Sequence, residues 1–279
     1  MKKILVTGSS GYIGSHLCKL LEDTYEVHGL DLQDPQIPVK HFHKQDIRYK
    51  MHGFDNIEPY DAIIHLAALV NVGESETNPV DYYTTNLFGT MNVCENIPTT
   101  NFIFASTGAA EGCVSSYGIS KRAAEDCVRQ ISSIKSINST IFRFYNVIGS
   151  TEVPPTNPDG LFYNLIKAAD TGTFTIHGND YKESWDGTCV RDYVHVNEIC
   201  QALKDAIETP SNSIESLGHG VGYTVKEIAN LFQTVNNLDF DIKYGPRRPG
   251  DMPSSVLENV SPYMMHMYTM EELLKVDNK

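Results

Sequence analysis

A tyrosine and a lysine stand four positions apart in the segment Tyr117-Gly118-Ile119-Ser120-Lys121. On a helix this spacing places both side chains on one face. A tyrosine is ordinarily protonated at neutral pH, because its pKa lies near 10. An ammonium group about 4 Å away favours the phenolate by roughly 4 kcal/mol at an effective dielectric constant near 20. We therefore expect Lys121 to lower the pKa of Tyr117 toward the range of a general base.

The same spacing occurs a second time, in Tyr163 and Lys167, so the spacing alone has little weight. The preceding strands distinguish the two pairs. Tyr117 follows an apolar segment that ends in the hydroxyl pair Ser106-Thr107, whereas no comparable pair precedes Tyr163. This context favours Tyr117 and Lys121 as the reactive pair.

The first thirty residues have the pattern of a strand, a glycine turn, a helix and a second strand that ends at Asp31. In a dinucleotide-binding unit, Gly8 permits the tight turn, Gly11 lets a pyrophosphate approach the backbone, and Gly14 lets the helix and the strand pack closely. The helix N-terminus offers free N–H groups to the phosphates. A carboxylate at position 31 accepts both ribose hydroxyls and repels a 2′-phosphate, which favours NAD over NADP. A glycine-rich loop without a ligand is the alternative, since these glycines are spaced more widely than in G-x-G-x-x-G.

Strands and helices alternate along the first half of the chain, which predicts an α/β fold with a Rossmann-like, doubly wound parallel sheet. Ligands of such sheets bind beyond the carboxyl ends of the strands. The residues expected at this edge are Gly8, Asp31, Asp46, Ala67, Thr107 and Tyr145. Strands are expected at 2–7, 26–30, 41–45, 61–67, 101–107, 139–146 and 174–177. Helices are expected at 15–22, 79–96, 116–131, 160–169, 197–208 and 224–235.

The character of the chain changes after Gly149, where three prolines mark a turn-rich connection. We expect a nucleotide-binding domain formed by residues 1–149 with about 190–220. A second, smaller and discontinuous domain would comprise about 150–189 and 221–279.

Composition excludes several classes of protein. The net charge of −13 disfavours nucleic acid and anionic membrane surfaces, which attract basic proteins. The six cysteines are scattered without a C-x-x-C pair, which favours free thiols in a reducing cytoplasm over disulfides, and no metal site is predicted. No apolar stretch reaches the roughly 18 residues of a membrane span, and no signal peptide is recognised. We expect a cytoplasmic protein.

Together these motifs resemble those of the extended short-chain dehydrogenase/reductases, within the NAD-dependent epimerase/dehydratase family. The pattern is most similar to that of UDP-glucose (UDP-hexose) 4-epimerases. The segments that carry the resemblance span most of the chain. They are Gly8-x-x-Gly11-x-x-Gly14, Gly11–His16, His65–Ala68, Val72–Ser75, Ser106-Thr107, Tyr117-x-x-x-Lys121, Arg143–Asn146, Gly178–Tyr181, Asp186–Val196 and Arg247–Asp251.

The resemblance implies NAD as cofactor and a UDP-sugar as substrate, bound by the second domain, in a homodimer. Tyr117 would be the base, Lys121 its activator and Thr107 its hydroxyl partner. The sugar would be oxidised at C4 to a 4-keto intermediate, and the hydride would return to its other face. The residues implied in NAD binding are Gly8, Gly11, Tyr12, Ile13, Gly14, Asp31, Asp46, Ile47, Leu66, Ala67, Ala68, Asn86, Ser106, Tyr117, Lys121 and Tyr145. Those implied in substrate binding are Thr107, Tyr117, Asn146, Asn164, His177, Arg191, Arg248, Asp251 and Ser255.

Three features differ from the family pattern. Only four residues separate Gly112 from Tyr117, Glu111 stands where a tyrosine is common, and the chain ends soon after Leu274. These differences leave other functions open: a dehydratase or decarboxylase, or a binding protein without turnover. By position Ser255 replaces a bulky tyrosine of strict UDP-galactose epimerases. The resemblance therefore implies room for the N-acetyl group of UDP-GlcNAc or UDP-GalNAc.

Overall fold

The computed structural model describes residues 1–248, 250–264 and 267–276, so Pro249 of the Arg247–Asp251 segment lies outside the described residues. The chain forms two compact units. The first comprises 1–144 and 200–215, and the second comprises 145–199 and 216–279. The sequence-based boundaries had assigned 145–149, 190–199 and 216–220 to the first domain, whereas the structure includes all three segments in the second unit. The boundary at residues 144 and 145 lies between two consecutive strands, so the turn-rich segment 150–158 does not mark it.

The strands and helices have the following bounds. The strands are β1 (Lys3–Thr7), β2 (Glu26–Asp31), β3 (His41–Lys44), β4 (Ala62–His65), β5 (Asn101–Thr107), β6 (Asn138–Phe144), β7 (Asn146–Ile148), β8 (Thr173–His177), β9 (Val190–His195), β10 (Ile214–Leu217), β11 (Gly222–Thr224), β12 (Asp241–Gly245) and β13 (Ser254–Ser255). The helices are α1 (Tyr12–Leu21), α2 (Val72–Thr77), α3 (Pro79–Tyr82), a π-helical segment (Tyr83–Gly89), α4 (Thr90–Asn96), α5 (Ala109–Gly112), α6 (Ser116–Lys135), α7 (Leu161–Thr171), α8 (Val196–Glu208), α9 (Val225–Asn236) and α10 (Met270–Leu274).

The first unit is built on a sheet with the strand order β10-β6-β5-β4-β1-β2-β3. The pairs from β3 through β6 are parallel. This is the doubly wound order 3-2-1-4-5-6 of a Rossmann fold, with one further strand beyond β6. Its central strands are continuous apolar runs because helices cover both faces; Ile4, Leu5 and Val6 of β1 are fully buried. The predicted fold class is confirmed.

The helix predicted for 79–96 is confirmed in its bounds, because α3, the π-helical segment and α4 follow one another from Pro79 to Asn96 without a break. The π-helical geometry within it, and α2 before it, were not predicted. In α2 the side chain of Asn71 caps the helix by accepting a hydrogen bond from the N–H of Glu74 at 2.8 Å. A π-helical turn adds one residue to the helix and is often found at functional sites. An apolar periodicity read with 3.6 residues per turn does not reveal such an insertion.

The second unit contains two small sheets. In one, β9 pairs with β7 and β13 in parallel and with β11 in antiparallel orientation. In the other, β8 pairs with β12 in parallel. Its core includes Phe162, Phe174, Phe232 and Phe240, which come from α7, β8, α9 and the segment after α9. Among the described helices of either unit, none has the length and apolarity to cross a membrane.

Candidate active site

The glycine loop between β1 and α1 has the geometry of a close backbone approach. Gly8 has a φ of +71°, and a Cβ atom there would lie 2.7 Å from the amide nitrogen of Ala67. A Cβ atom at Gly14 would lie 2.0 Å from the carbonyl oxygen of Gly8. Only glycine satisfies both positions, since side chains rarely adopt positive φ and neither contact leaves room for a methyl group. No side chain caps the N-terminus of α1 at Gly11, so backbone N–H groups point from this end of the helix.

Asp31 lies at the carboxyl end of β2, as the sequence predicts. Its carboxylate accepts hydrogen bonds from the N–H groups of Ser10 at 3.0 Å and Gln33 at 2.9 Å. These contacts hold the carboxylate beside the glycine loop and leave lone pairs for further donors. In the register of the sheet, Lys44 lies opposite Asp31, but its ammonium pairs with Asp34 at 2.8 Å. The ammonium of Lys44, the basic group nearest to Asp31 in the sheet register, is therefore neutralised by Asp34.

Asp46, predicted to contact a cofactor, has an arginine partner in the loop after β3. Both carboxylate oxygens are held by the guanidinium of Arg48, with the shortest contact at 2.6 Å. This partner keeps the pKa of Asp46 below its usual value. The adjacent Ile47 is 5% exposed, and its side chain packs against Gly89 of the π-helical segment. Asp46 and Ile47 together thus fix the loop after β3.

Asn86 is fully buried, and its side-chain amide is committed to protein groups. Its oxygen accepts from the N–H of Leu69 at 2.8 Å, while its nitrogen donates to the carbonyl of Leu69 at 2.9 Å and to the hydroxyl of Ser120 at 3.2 Å. Asn86 therefore joins the chain after β4, which contains Leu66, Ala67 and Ala68, to helix α6. The hydrogen bonds of this side chain thus fix the segment at Leu69 against α6.

Thr107 and Tyr117 are brought together by α5 and the short turn after it. Ser115 caps α6 by accepting from the N–H of Gly118 at 3.1 Å, which places Tyr117 in the first turn of the helix. The phenol forms a side-chain hydrogen bond with Thr107 that favours the phenolate, yet burial dominates and raises the pKa of Tyr117. The expectation that Lys121 brings this pKa below its usual value is thus not met. Desolvation of the phenolate outweighs the neighbouring groups.

Lys121 is 2% exposed, which is rare for a lysine, and its ammonium lies 4.2 Å from the centre of the Phe104 ring. Burial lowers the pKa of Lys121 to about 7, and the negative charge of Glu125 opposes that shift. The fully buried His65 lies on the same side of the sheet. Burial, reinforced by the charge of Lys121, lowers the pKa of His65 to about 3, so this ring is neutral. Lys121 therefore sits in an environment that makes its proton labile near neutral pH.

A buried carboxylate that the sequence analysis missed lies behind Lys121. Glu125, fully buried and one helical turn further along α6, accepts from the Ser106 hydroxyl at 2.5 Å. It also accepts two hydrogen bonds from the guanidinium of Arg143, at 2.9 and 2.7 Å. Ser106 and Arg143 are neighbours in register on β5 and β6. The signal available in the sequence was an acidic residue on the apolar face of a helix, four positions after the lysine. The hydroxyl of Ser106, a residue predicted to bind a cofactor, thus donates its hydrogen bond to Glu125.

In the second unit, Arg191, Asp251 and Ser255 come together as predicted. Arg191 of β9 lies opposite Ser255 of β13, and its guanidinium is 3.6 Å from the Asp251 carboxylate. The neighbouring Asp192 is fully buried and accepts backbone N–H groups of His219, Gly220 and Leu257. Burial raises the pKa of Asp192, and these three donors oppose the shift. Asp192 thus fixes the backbone at His219 and Gly220, and that at Leu257, beside the strand that contains Arg191.

The remaining predicted residues of the second unit make the following contacts. The Asn146 amide donates to the carbonyl of Asp192 at 2.8 Å, and the Asn164 amide donates to the carbonyls of Pro158 and Gly160. One ring nitrogen of His177 lies 3.3 Å from the carbonyl of Pro246. The backbone N–H of Tyr145 donates to the carbonyl of Leu217.

The two arginines at 247 and 248 differ in their partners. Arg247 pairs with Asp180 at 2.7 Å and lies 3.9 Å over the Tyr181 ring. Arg248 donates to the carbonyl of Asp159 at 3.0 Å, and no carboxylate of the described residues lies within ion-pair distance of it. Arg248 is therefore the member of the pair whose charge is available to an anion.

The first unit fits NAD on its own geometry. A Cβ atom at Gly8 or Gly14 would collide with neighbouring backbone, so the tight turn into α1 requires glycine at both positions, and the uncapped end of α1 supplies N–H donors for a pyrophosphate. Asp31 is held at the strand end where a ribose hydroxyl pair is bound in such folds.

Known proteins match this chain along most of its length. A model of the NAD-dependent epimerase/dehydratase family matches residues 4–218. The UDP-glucose 4-epimerase of Caenorhabditis elegans is 30% identical over 90% of this chain and 88% of that protein.

Solved structures agree. UDP-glucose 4-epimerase from Bifidobacterium longum, in complex with NAD⁺ and UDP, matches with a TM-score of 0.83 and 25% identity. The enzyme from Thermotoga maritima with UDP-glucose matches with a TM-score of 0.85 and 27% identity. Each alignment covers 98% of this chain and 96% of the other. The family model covers well over half of the chain and the relatives align along nearly all of it, so this chain belongs to the NAD-dependent epimerase/dehydratase family.

Proposed function

We propose that the protein is an NAD-dependent UDP-sugar 4-epimerase, which interconverts UDP-glucose and UDP-galactose. The observation that carries this proposal is the hydrogen-bonded pair Thr107 and Tyr117, with the buried Lys121 one turn along the same helix. A hydroxyl group, a phenol and a buried cation at a strand end are the parts needed to remove a proton from a sugar hydroxyl. The homologous UDP-glucose 4-epimerases support the same assignment.

NAD is held in this proposal by the first unit. The N–H groups from Gly11 to Ile13 and the α1 dipole bind the pyrophosphate, with Tyr12 beside them, and Asp31 accepts from the ribose. Ala67 and Ala68 border the glycine loop, and Tyr145 is assigned to the cofactor by family position. Asp46, Asn86 and Ser106 are assigned to the cofactor site by family position, and their polar atoms are held in place by Arg48, Leu69 and Glu125.

Tyr117 is assigned the role of the base that takes the proton of the sugar 4-hydroxyl. NAD⁺, when bound, supplies the hydride acceptor for C4 and a positive charge that favours the phenolate. Thr107 donates a hydrogen bond to the phenolate, and Lys121 supplies a cation on the same helix face. Burial raises the pKa of Tyr117, so the side chain of Lys121 and the positive charge of NAD⁺ are the groups assigned to favour its phenolate.

The UDP half of the substrate is assigned to the second unit. Arg248 and Arg191 neutralise the pyrophosphate, and Asp251, which now pairs with Arg191, accepts from the uridine ribose. His177 stacks on the uracil ring, while Asn146 and Asn164 face the sugar. Rotation of a 4-keto sugar requires a firmly held UDP group and few contacts to the hexose itself.

The sugar specificity is assigned to Ser255, which is paired in register with Arg191. A serine leaves space for an N-acetyl group, so we expect UDP-GlcNAc and UDP-GalNAc as additional substrates. The change Ser255→Tyr is then expected to abolish turnover of the N-acetyl sugars and to retain that of UDP-glucose. Equal loss for both kinds of substrate would contradict this assignment.

The assembly is assigned as a homodimer through the two helices near residues 79–96 and 116–131. Exposed apolar side chains on these elements support it, notably Val80 (73% exposed), Phe88 (59%) and Ile119 (41%). Light scattering after size exclusion tests it, and a monomeric mass at micromolar concentration would contradict it. The six free cysteines are consistent with a cytoplasmic location.

The test of the reaction is a set of incubations of the protein with NAD and, separately, UDP-glucose, UDP-galactose, UDP-GlcNAc and UDP-GalNAc. The anomeric protons are followed by NMR. Tyr117→Phe is expected to abolish interconversion of each 4-epimer pair, and the matched variant Tyr163→Phe is expected to retain it. Binding of NAD and UDP without turnover of any sugar would overturn the epimerase assignment and leave a binding protein.

A further inference from the structure

Four polar side chains form a row on one face of the sheet, at β2 and β3. Glu26 and His28 alternate along β2, and His41 and His43 alternate along β3, so each pair points to one face. His28 and His41 are directly opposite in the parallel register. Two residues at i and i+2 on one strand, with a third facing them from the next strand, bring three side chains to one point.

Three of these side chains come close enough to share one ion. One ligand atom from each of Glu26, His28 and His41 lies within 4.8 Å of the other two. The Nε2 atom of His28 is 3.0 Å from the Oε1 atom of Glu26. Two ligand atoms of a tetrahedral zinc ion are separated by about 3.3 Å, given bonds of about 2.0–2.1 Å. Glu26 and His28 already have nearly this spacing. The His28 and His41 rings are stacked, with centroids 4.5 Å apart and planes at 12°, so the His41 ring must turn out of the stack to direct a nitrogen at the same ion.

The other ring nitrogen of His28 is oriented by a buried partner. Its Nδ1 atom lies 3.3 Å from the hydroxyl of Tyr60, which is 1% exposed, and 3.4 Å from His43. Histidines that bind metals generally donate their second ring N–H to such a partner, which fixes the ring and its tautomer. Nε2 is thereby left to face Glu26. His28 is buried while Glu26 is exposed, which gives an ion a path from solvent.

We propose that Glu26, His28 and His41 bind a divalent transition metal, with zinc as the expected ion. Two imidazoles and one carboxylate, with water as a fourth ligand, are a donor set that zinc takes in proteins. Calcium and magnesium prefer oxygen ligands throughout, which this cluster does not supply. The ammonium of Lys3, 4.5 Å over the Tyr60 ring, is the nearby charge that opposes binding, and the net charge of −13 favours it.

The site lies away from the nucleotide edge, because Glu26 begins β2 and Asp31 ends it. The ion would join β3, the outermost strand on this side of the sheet, to β2. Its role is structural and does not depend on the epimerase reaction. The site is not evident from the sequence, because the loop from 32 to 40 separates His41 from Glu26 and His28.

The test uses the full chain, freed of metal by a chelator, and titrated with Co²⁺ as a spectroscopic probe and with Zn²⁺ by calorimetry. Co²⁺ absorption distinguishes a nitrogen and oxygen site from thiolate ligation at the free cysteines. Three variants are compared: His41→Gln and Glu26→Gln, which remove ligands, and Tyr60→Phe, which removes the orienting partner. His52→Gln, at an exposed histidine in the same unit, is the control.

We expect one equivalent of Co²⁺ per chain, with a tetrahedral spectrum that lacks thiolate charge transfer. The His41→Gln and Glu26→Gln variants should bind at least about tenfold more weakly and Tyr60→Phe roughly tenfold more weakly, while His52→Gln is unchanged. Circular dichroism in chelator verifies that each variant is folded. The proposal is overturned by the absence of stoichiometric binding, by thiolate bands, or by full affinity in folded His41→Gln and Glu26→Gln.

Discussion

Two helices of this protein contain the same Tyr-x-x-x-Lys turn, and their surroundings differ. On α6, Lys121 is 2% exposed and lies over the Phe104 ring, and Tyr117 is hydrogen-bonded to Thr107. On α7, Lys167 is exposed to solvent. Four residues beyond the lysine, α6 has the buried Glu125, whereas α7 has Thr171, whose hydroxyl donates to the backbone carbonyl of Lys167.

Helical spacing decides only which side chains share a face. The burial and the charges around that face decide the pKa values of its side chains. The charge of an exposed lysine is hydrated and screened, so it has little effect on a neighbouring phenol. A buried ammonium is costly and is retained where a countercharge and an aromatic ring compensate it. Of the two turns, therefore, only that of Tyr117 and Lys121 on α6 has its lysine in an environment protected from water.

The largest expected effect comes from removing the two phenols in turn. Tyr117→Phe is expected to lower kcat by about 10²–10⁴-fold, the usual contribution of a general base. Tyr163→Phe is expected to leave kcat within about twofold, because its turn lacks a buried cation. Steady-state epimerisation of UDP-glucose measures both. Comparable losses in the two variants would remove the distinction between the turns.

The second prediction concerns Glu125, the residue that α7 lacks. Glu125→Gln leaves the guanidinium of Arg143 without its main partner, and breaking such a buried pair costs about 3–5 kcal/mol. We expect a loss toward the lower value, because Arg143 also contacts Glu111 at 3.4 Å. Chemical denaturation measures the loss, and Thr171→Val on α7 is the control, with an expected change below about 1 kcal/mol.

Glu125→Gln also tests whether Glu125 positions the charge of Lys121. Glu125 raises the pKa of Lys121 against the effect of burial, so its neutralisation should lower that pKa further. The alkaline limb of the pH–rate profile should then move to lower pH, and Glu125→Asp should restore it in part. A destabilised variant with an unchanged pH profile would mean that Glu125 is only structural.

Much of the first unit could be predicted from the sequence, because its elements are specified locally. The apolar runs of β1, β4 and β5 and the glycines at 8 and 14 each predict their structure from neighbouring residues. The boundaries of the second unit and the strands from β9 to β13 were harder to predict from the sequence. They depend on pairing between segments that are distant in the chain. The π-helical segment was missed because its extra residue leaves no signal in the apolar pattern.

Some contacts of the candidate site could be predicted and others could not. Thr107 and Tyr117 meet as expected, since both follow from one strand end and the helix after it. The hydrogen bonds of Asp46, Asn86 and Ser106 were not predicted, because their partners Arg48, Leu69 and Glu125 are chosen by packing. The pKa of Tyr117 moves in the direction opposite to the prediction. A pairwise estimate of charge omitted the desolvation that the fold imposes on the phenol.

The third prediction compares the two lysines in catalysis. Lys121→Met is expected to lower kcat about 10- to 100-fold, because an opposite charge within 4–6 Å shifts a pKa by about 1–3 units. Methionine retains most of the apolar volume beside Phe104. Lys167→Met is the matched control and should leave kcat unchanged. Unaltered kcat in Lys121→Met would show that the buried ammonium takes no part in forming the phenolate.

The last prediction is a pH dependence of stability that, of the two lysines, only the buried one produces. The pKa of Lys121 is about 7 in the folded protein, and a lysine in an unfolded chain has a pKa near 10.4. Between these values the unfolded chain binds the proton that the folded protein has released, so this residue makes stability rise with pH.

The unfolding free energy of the wild type minus that of Lys121→Met should therefore be flat below pH 6 and rise between pH 7 and 9.5. The slope can reach about 1.4 kcal/mol per pH unit, the limit for one proton. Subtracting the variant cancels the titration of all other groups that the substitution leaves unperturbed. The same difference for Lys167→Met should stay flat throughout. A flat curve for Lys121 as well would mean that its ammonium keeps its proton in the fold, and the contrast between the two turns would then rest on Thr107 alone.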